Sequence, residues 1–246
     1  MRVLTVFAHP GPQSFCHAVL DRFDAGLRDA GHVNDIVDLY AIGFDPVLRE
    51  PDNVNWMDAN APEDVLASMH LRERLLEGAR GPLQRIALKR LLGYRDTRGI
   101  IRLLQQRYRP KDVATQQEKV KAANALAFIA PVYFVGFPAI LKGWIERVFT
   151  LGFAFALAPQ AWKGDISGRI PLLTHEKAQI IQTTIFDKAA YDDGIGGAMR
   201  ILVDEFALRY PGIKRVEHEY FYAVHDGDSA KLGRYLERAY QLGREF

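Results

Sequence analysis

Three stretches of this sequence combine residue types that can grip a nucleotide or a flat conjugated ring. The first is Phe7-Ala8-His9-Pro10-Gly11-Pro12-Gln13-Ser14-Phe15, a turn rich in Pro and Gly that opens a helix. A helix start offers backbone N–H groups without internal acceptors, and the helix dipole favours a phosphate or pyrophosphate there. Ser14 can add a hydroxyl and His9 a ring N–H; Ser14 serves equally as a plain N-cap, and His9 as a brace for the turn. The second stretch is Pro131-Val132-Tyr133-Phe134, continued by Val135-Gly136-Phe137-Pro138. A flat π-system needs a rigid apolar wall with N–H donors aimed at its polar edge, and a proline–aromatic loop supplies both. The third is Thr183-Thr184, followed by Tyr191. The Tyr191 hydroxyl can donate to an anion that develops during a reaction, or its ring can close a loop onto the core.

Bringing these stretches together requires a particular alternation of elements. A strand over Val3 to Ala8 leads into the first turn. Phe15, Val19, Phe23 and Leu27 then recur at four-residue steps as one apolar helix stripe, with Gly31 placed to end it. A second strand runs from about Val33 to Leu39. The third, Ala125 to Ala130, has the apolar texture of a central parallel strand. Pro138 opens a helix whose inner face is Ile140, Leu141, Trp144, Ile145 and Val148. A fourth strand lies near Gln179 to Thr184, before a helix through Met199, Leu202 and Phe206. A fifth lies near Val216 to Val224, and a last helix runs from about Ser229 to Gly243. This alternation predicts an α/β fold: a flavodoxin-like, doubly wound, five-stranded parallel sheet in the order 2-1-3-4-5. Ligands of such sheets bind beyond the carboxyl ends of the strands, where the turns after Ala8, Ala130 and Thr184 would meet.

The chain reads as a single domain over 1–246, with a helical insertion after strand 2 spanning about 51–118. Between Leu66 and Lys111, 12 Lys/Arg stand against 3 Asp/Glu. Such a surplus marks the solvated side of helices packing through Leu71, Leu75, Ile86, Leu91, Ile100 and Leu104, or a basic lid or docking surface for an acidic partner. The net charge of the whole chain is only +2, too small to point to nucleic acid or an anionic membrane. Ala122 to Leu141 is uncharged and about as long as a membrane span. Pro131, Gly136 and Pro138 interrupt it and suit a strand, a loop and a helix start, so no membrane insertion is expected. The opening MRVLTVFAHP reaches His9-Pro10 too early for a leader peptide. A single cysteine, Cys16, fits a reducing compartment, and a cytoplasmic location is expected. Its place one residue into the first helix allows either a lowered pKa or simple packing. The histidines lie apart with no ligand spacing, so no metal site is expected.

The run Ala130-Pro131-Val132-Tyr133-Phe134-Val135-Gly136-Phe137-Pro138-Ala139-Ile140-Leu141-Lys142-Gly143-Trp144-Ile145-Glu146-Arg147-Val148-Phe149 resembles the NAD(P)H:quinone oxidoreductase (DT-diaphorase) family. In that family a proline–aromatic loop and a P-A-x-L-K-G-W helix cup a flavin ring. The His-Pro and Ser-Phe pairs of the first turn fit the same family, as does Asp38-Leu39-Tyr40 followed by Phe44-Asp45-Pro46. The likeness covers roughly residues 1–50 and 115–245. The resemblance implies bound FAD (alternatively FMN), NAD(P)H as co-substrate, a quinone or similar small molecule as acceptor, and a homodimer. It implies that His9, Ser14, Phe15, Cys16, Pro131, Val132, Tyr133, Phe134, Thr183 and Thr184 hold the flavin, and that Tyr191 stabilises charge. Flavodoxin-like electron carriers and ancillary subunits with little turnover form the alternative. The third stretch departs from the family's Thr-Thr-Gly-Gly, Tyr and later His. Ile185 and Phe186 replace the glycines and Gly197 stands where the His belongs, which removes a close backbone approach and leaves Tyr191 without that partner.

Overall fold

Alternating side chains give the central sheet two apolar faces. The computed structural model describes residues 1–246. In β1 (Arg2–Phe7), Val3 and Phe7 turn to one face and Leu4 and Val6 to the other, and all four are fully buried. β1 pairs in parallel with β2 (Val33–Asp38) and with β3 (Ala125–Pro131), every residue of which is buried. Two short strands, β4 (Phe155–Leu157) and β5 (Arg169–Pro171), form a separate antiparallel pair. β6 (Lys177–Thr183) and β7 (Arg215–Phe221) complete the main sheet, whose order is β2-β1-β3-β6-β7. Leaving aside the small hairpin, this is the predicted 2-1-3-4-5 order. Strands of three residues are too short to show a period in sequence, which is why the hairpin was not foreseen.

α1 (Phe15–Asp29) lays Val19, Phe23 and Leu27 against Val3, Phe7 and Ile129. Between β2 and β3 come a 3-10 turn over Glu50–Trp56 and five helices: α2 (Glu63–Ser68), α3 (Leu71–Glu77), α4 (Pro82–Leu92), α5 (Thr97–Arg107) and α6 (Lys111–Ala122). α6 belongs to the sheet, since Val120 joins the core around Leu126 and Phe128. The other four bury Ala61, Leu66, Leu71, Leu92, Ile100 and Ile101 in a cluster of their own. Leu71 and Ile100 pack as the sequence predicts, but Ile86 is exposed, because α4 turns only Leu92 fully inward.

α7 (Ala139–Val148) buries Leu141, Trp144 and Val148 on the face that carries Phe128. After β6 the expected helix is irregular. α8 (Lys188–Ala190) gives way to a π-helical turn over Tyr191–Ile195, then α9 (Gly196–Met199), then a π-helical stretch over Arg200–Arg209. Wider turns shift which side chains face inward. Met199, Val203 and Leu208 are buried, whereas Leu202 and Phe206, expected to pack, are exposed. α10 (Ser229–Arg244) closes the fold against α1. A Cβ on Gly26 would lie 2.1 Å from the Tyr240 carbonyl oxygen, and one on Gly243 would lie 2.2 Å from that of Phe23, so the two backbones meet where both residues lack side chains. No helix is long and apolar enough to cross a membrane.

Candidate functional site

The turns after β1, β3 and β6 leave the same edge of the sheet, because parallel neighbours end at the same level: Pro131 is paired with Thr183, and Phe7 with Ile129. In the first turn the Gly11 N–H donates to His9 Nδ1 at 3.0 Å. The same nitrogen lies 3.1 Å from the Gly11 carbonyl oxygen, so the ring braces the turn through Nδ1 and leaves Nε2 free of it. Burial holds the His9 pKa below its usual value, in keeping with a neutral ring. Ser14 caps α1: its Oγ accepts from the His17 N–H at 3.3 Å. The amides of Phe15 and Cys16, which precede the first intrahelical bond, face out of the helix start. Neutral donors at a helix start suit a phosphate.

The second turn is built differently. The Tyr133 N–H donates to the Gly136 carbonyl at 3.1 Å, closing a tight loop whose middle residues, Phe134 (φ 49°) and Val135 (φ 60°), both lie in the left-handed region. A β-branched residue rarely adopts that conformation, and such strain of about 1–3 kcal/mol per residue concentrates at ligand clamps. The strain displays apolar surface: Tyr133 and Val135 are exposed and Phe134 is fully so. Tyr133 lies within electrostatic reach of Tyr40 and Cys16, and partial burial raises its hydroxyl pKa.

The third turn faces the second across a cavity of about 270 Å³ lined by Val132, Phe134, Val135, Thr184, Ile185, Phe186, Tyr191 and Ile195. Ile185 and Phe186, where the resemblance expects glycines, form its exposed apolar wall. Thr184 is buried, and its Oγ1 accepts from the Tyr191 hydroxyl at 2.8 Å and from the Phe186 N–H at 3.2 Å. Tyr191 is therefore at the cavity wall with its proton committed inward. Its pKa is raised, mainly by burial. Thr183 turns to the other face of the sheet and bonds the Cys16 thiol, whose pKa burial pushes up to about 12. Of the two readings the helix start allowed, packing holds and a lowered pKa does not: the thiol is buried, and desolvation outweighs position.

Of the residues expected to line a site, His9, Ser14 and Phe15 stand at the first turn, and Val132, Tyr133 and Phe134 at the second. Thr184 and Tyr191 stand at the third. Cys16, Pro131 and Thr183 are buried directly beneath. Sequence reasoning passed over a polar row on the carboxyl halves of β6 and β7. His218 Nδ1 meets Asp204 Oδ1 at 2.8 Å, and its Nε2 meets Gln182 Oε1 at 2.9 Å. Tyr220 stacks on that ring, with centroids 4.2 Å apart. The available signal was the set of polar and aromatic residues His218, Tyr220 and Tyr222 at alternate positions, with Gln182 polar directly after Ile180-Ile181.

A family model described as flavodoxin-like fold matches residues 1–242. NAD(P)H dehydrogenase [quinone] 1 from Cavia porcellus is 28% identical over 227 residues, covering 91% of this chain and 69% of that protein. The solved structure of NAD(P)H:quinone oxidoreductase from Methanothermobacter marburgensis is 27% identical, with a TM-score of 0.69 over 100% of this chain and 96% of that one. An FMN-dependent NADH-azoreductase from Bacillus anthracis, solved with FMN, shares the fold at 14% identity and a TM-score of 0.58, over 99% of this chain and 96% of that one.

Proposed function

The chain belongs to the flavodoxin-like fold family, and on that premise we propose that it is a flavin-dependent NAD(P)H oxidoreductase that passes hydride to a quinone or similar small acceptor. One observation carries this reading: a strained turn displaying Phe134 and Val135 stands beside the donor-rich start of α1, at the carboxyl ends of adjacent strands. The residues present fit a flavin. The Phe15 and Cys16 amides, Ser14 and His9 would meet its phosphates. Val132, Tyr133 and Phe134 would line one side of the ring, and Thr184 would close the opposite edge of the site. Pro131 and Thr183 would set the spacing of the two walls from below. Bound flavin would supply hydride transfer between the nicotinamide and the acceptor. The chain's own part is to hold the ring flat, keep one face open to a second planar molecule and exclude water with Ile185 and Phe186.

Tyr191 would place its ring against the bound pair and, by releasing its bond to Thr184, offer a proton donor to developing negative charge. We assign FAD as the flavin, on the His-Pro opening of the first turn and the length of the chain, with FMN as the alternative. We also assign a homodimer with sites completed across the interface. Exposed Phe134, Ile185, Phe186, Leu202 and Phe206, and an apolar cavity of about 310 Å³ that includes Trp56, Phe155 and Tyr210, supply a face for it.

The test is an absorbance titration of the protein with FAD and with FMN, followed by steady-state NADH and NADPH oxidation with a quinone. Stoichiometric uptake and turnover are expected. Uptake without turnover would replace the enzyme reading with that of an electron carrier or ancillary subunit. No uptake of either flavin would overturn both.

A further inference from the structure

Strand alternation puts Gln182 of β6, and Thr184 just beyond it, on the same face as His218 and Tyr220 of β7 and Tyr222 just beyond it, with Gln182 paired to Tyr220 in register. At the carboxyl ends of the strands this face is polar and aromatic, unlike the apolar core below it. His218 sits in the middle with a side chain only 1% exposed. Its Nδ1 meets Asp204 Oδ1, from the π-helical stretch over Arg200–Arg209, at 2.8 Å, and its Nε2 meets Gln182 Oε1 at 2.9 Å. Gln182 is fixed in that sense because its Nε2 donates to the Pro131 carbonyl at 3.4 Å. Both ring nitrogens thus face oxygens, a pattern that the doubly protonated ring satisfies with two donated bonds.

Two lines of contact leave this ring for the site. One runs through Gln182 to Pro131, the base of the aromatic turn. The other runs through rings: His218 stacks on Tyr220 with centroids 4.2 Å apart, and Tyr220 lies 4.9 Å from Tyr191 in the cavity wall. Arg200 and Asp204 are the other charges that Tyr220 feels, and burial with Asp204 drives its hydroxyl pKa well above the usual range. The order Asp204, His218, Gln182, Pro131 also gives the buried pair a direction, with its negative end at the helix and its positive end toward the strand tips. A positive end aimed at a water-excluded site favours negative charge gained there.

Resting on the reading of the site as a flavin site, we propose that His218 is a positioning residue for the redox reaction. Held between Asp204 and Gln182, it fixes the aromatic turn and Tyr191 relative to one another and biases the site toward accepting negative charge.

The experiment compares flavin-loaded wild type with His218→Gln and Asp204→Asn, and with Glu219→Gln as a control on the opposite face of β7. The two-electron reduction equilibrium of the bound flavin becomes about tenfold less favourable in the first two variants, a potential lower by roughly 30 mV, and is unchanged in the control. Nitrogen-15 spectra of histidine-labelled, flavin-free protein show both His218 ring nitrogens carrying protons. Asp204→Asn keeps the shape and serves if His218→Gln fails to fold. Unchanged potentials at unchanged flavin affinity overturn the proposal, as does a His218 ring with one bare nitrogen. If the wild type binds no flavin, the functional reading falls and this one with it, an outcome distinct from bound flavin with an unmoved potential.

Discussion

Pro131–Pro138 and Ala139–Val148 are continuous in sequence and carry one unbroken family likeness, yet they are held by opposite means. The loop is strained and outward, with Phe134 fully exposed and two residues in the left-handed region. The helix is braced and inward. Trp144 is fully buried and its Nε1 donates to Gln116 Oε1 at 3.2 Å, while Arg147 Nη1 donates to the Asp45 carbonyl and to Asp112 Oδ2, each at 2.6 Å. A Cβ on Gly143 would stand 2.2 Å from the Pro46 carbonyl oxygen, so this glycine lets the segment after β2 lie against α7. Half of the motif that carries the family likeness is therefore braced against the protein's own core. It anchors a loop whose conformation costs free energy.

The comparison can be broken most forcefully at Trp144. Replacing it with Ala empties a fully buried site and should cost about 3–5 kcal/mol, read from urea unfolding. A cost below about 1 kcal/mol would mean that α7 is not the anchor. Gly143→Ala forces Pro46 aside and should cost about 1–3 kcal/mol, with flavin affinity falling only as the loop shifts. Phe134→Ser tests the opposite region. Stability should stay within about 0.5 kcal/mol of wild type, while flavin affinity weakens about tenfold, or about 1.4 kcal/mol. A stability loss as large as that of Trp144→Ala would abolish the distinction.

Cys16 sharpens the contrast on the other face of the sheet: it stands in a site segment but is buried as deeply as α7. Its folded pKa, about 12, exceeds the ordinary 9.0. The stability this contributes is therefore fully present below pH 9.0 and is lost as pH rises from there toward about 12. Between pH 8 and pH 10 the wild type should lose on the order of 1 kcal/mol more than Cys16→Ala. Equal losses would show a thiol open to solvent.

The sheet was legible because β1 and β3 are long enough to show near-continuous apolar runs between turn residues, and β6 sets Ala178, Ile180 and Ile181 just before Thr183-Thr184. The first two turns were legible because Pro, Gly and the aromatic residues announce them. The Tyr191–Arg209 segment was not. Its widened turns break the period of 3.6 on which a helix is read, so Leu202 and Phe206 face outward and Asp204 inward. The His218 row was hidden for another reason. Its partners Gln182 and Asp204 are 36 and 14 residues away, joined only by strand register and the helix that covers it. The glycines missing at Ile185 and Phe186 were visible as a departure, but not their consequence, an apolar wall in place of a close backbone approach.

The bare contact between Gly26 and Gly243 has a consequence for the order of events in synthesis. Tyr240 Oη reaches Asp29 Oδ2 across 211 residues of chain, so α1 leaves the ribosome long before the helix that must press against it exists. Until α10 arrives, α1 has only the sheet to pack against, and the side of it that carries Gly26 is bare. A lone methyl group at either glycine would obstruct that late docking, since it would press on a backbone oxygen of the other helix.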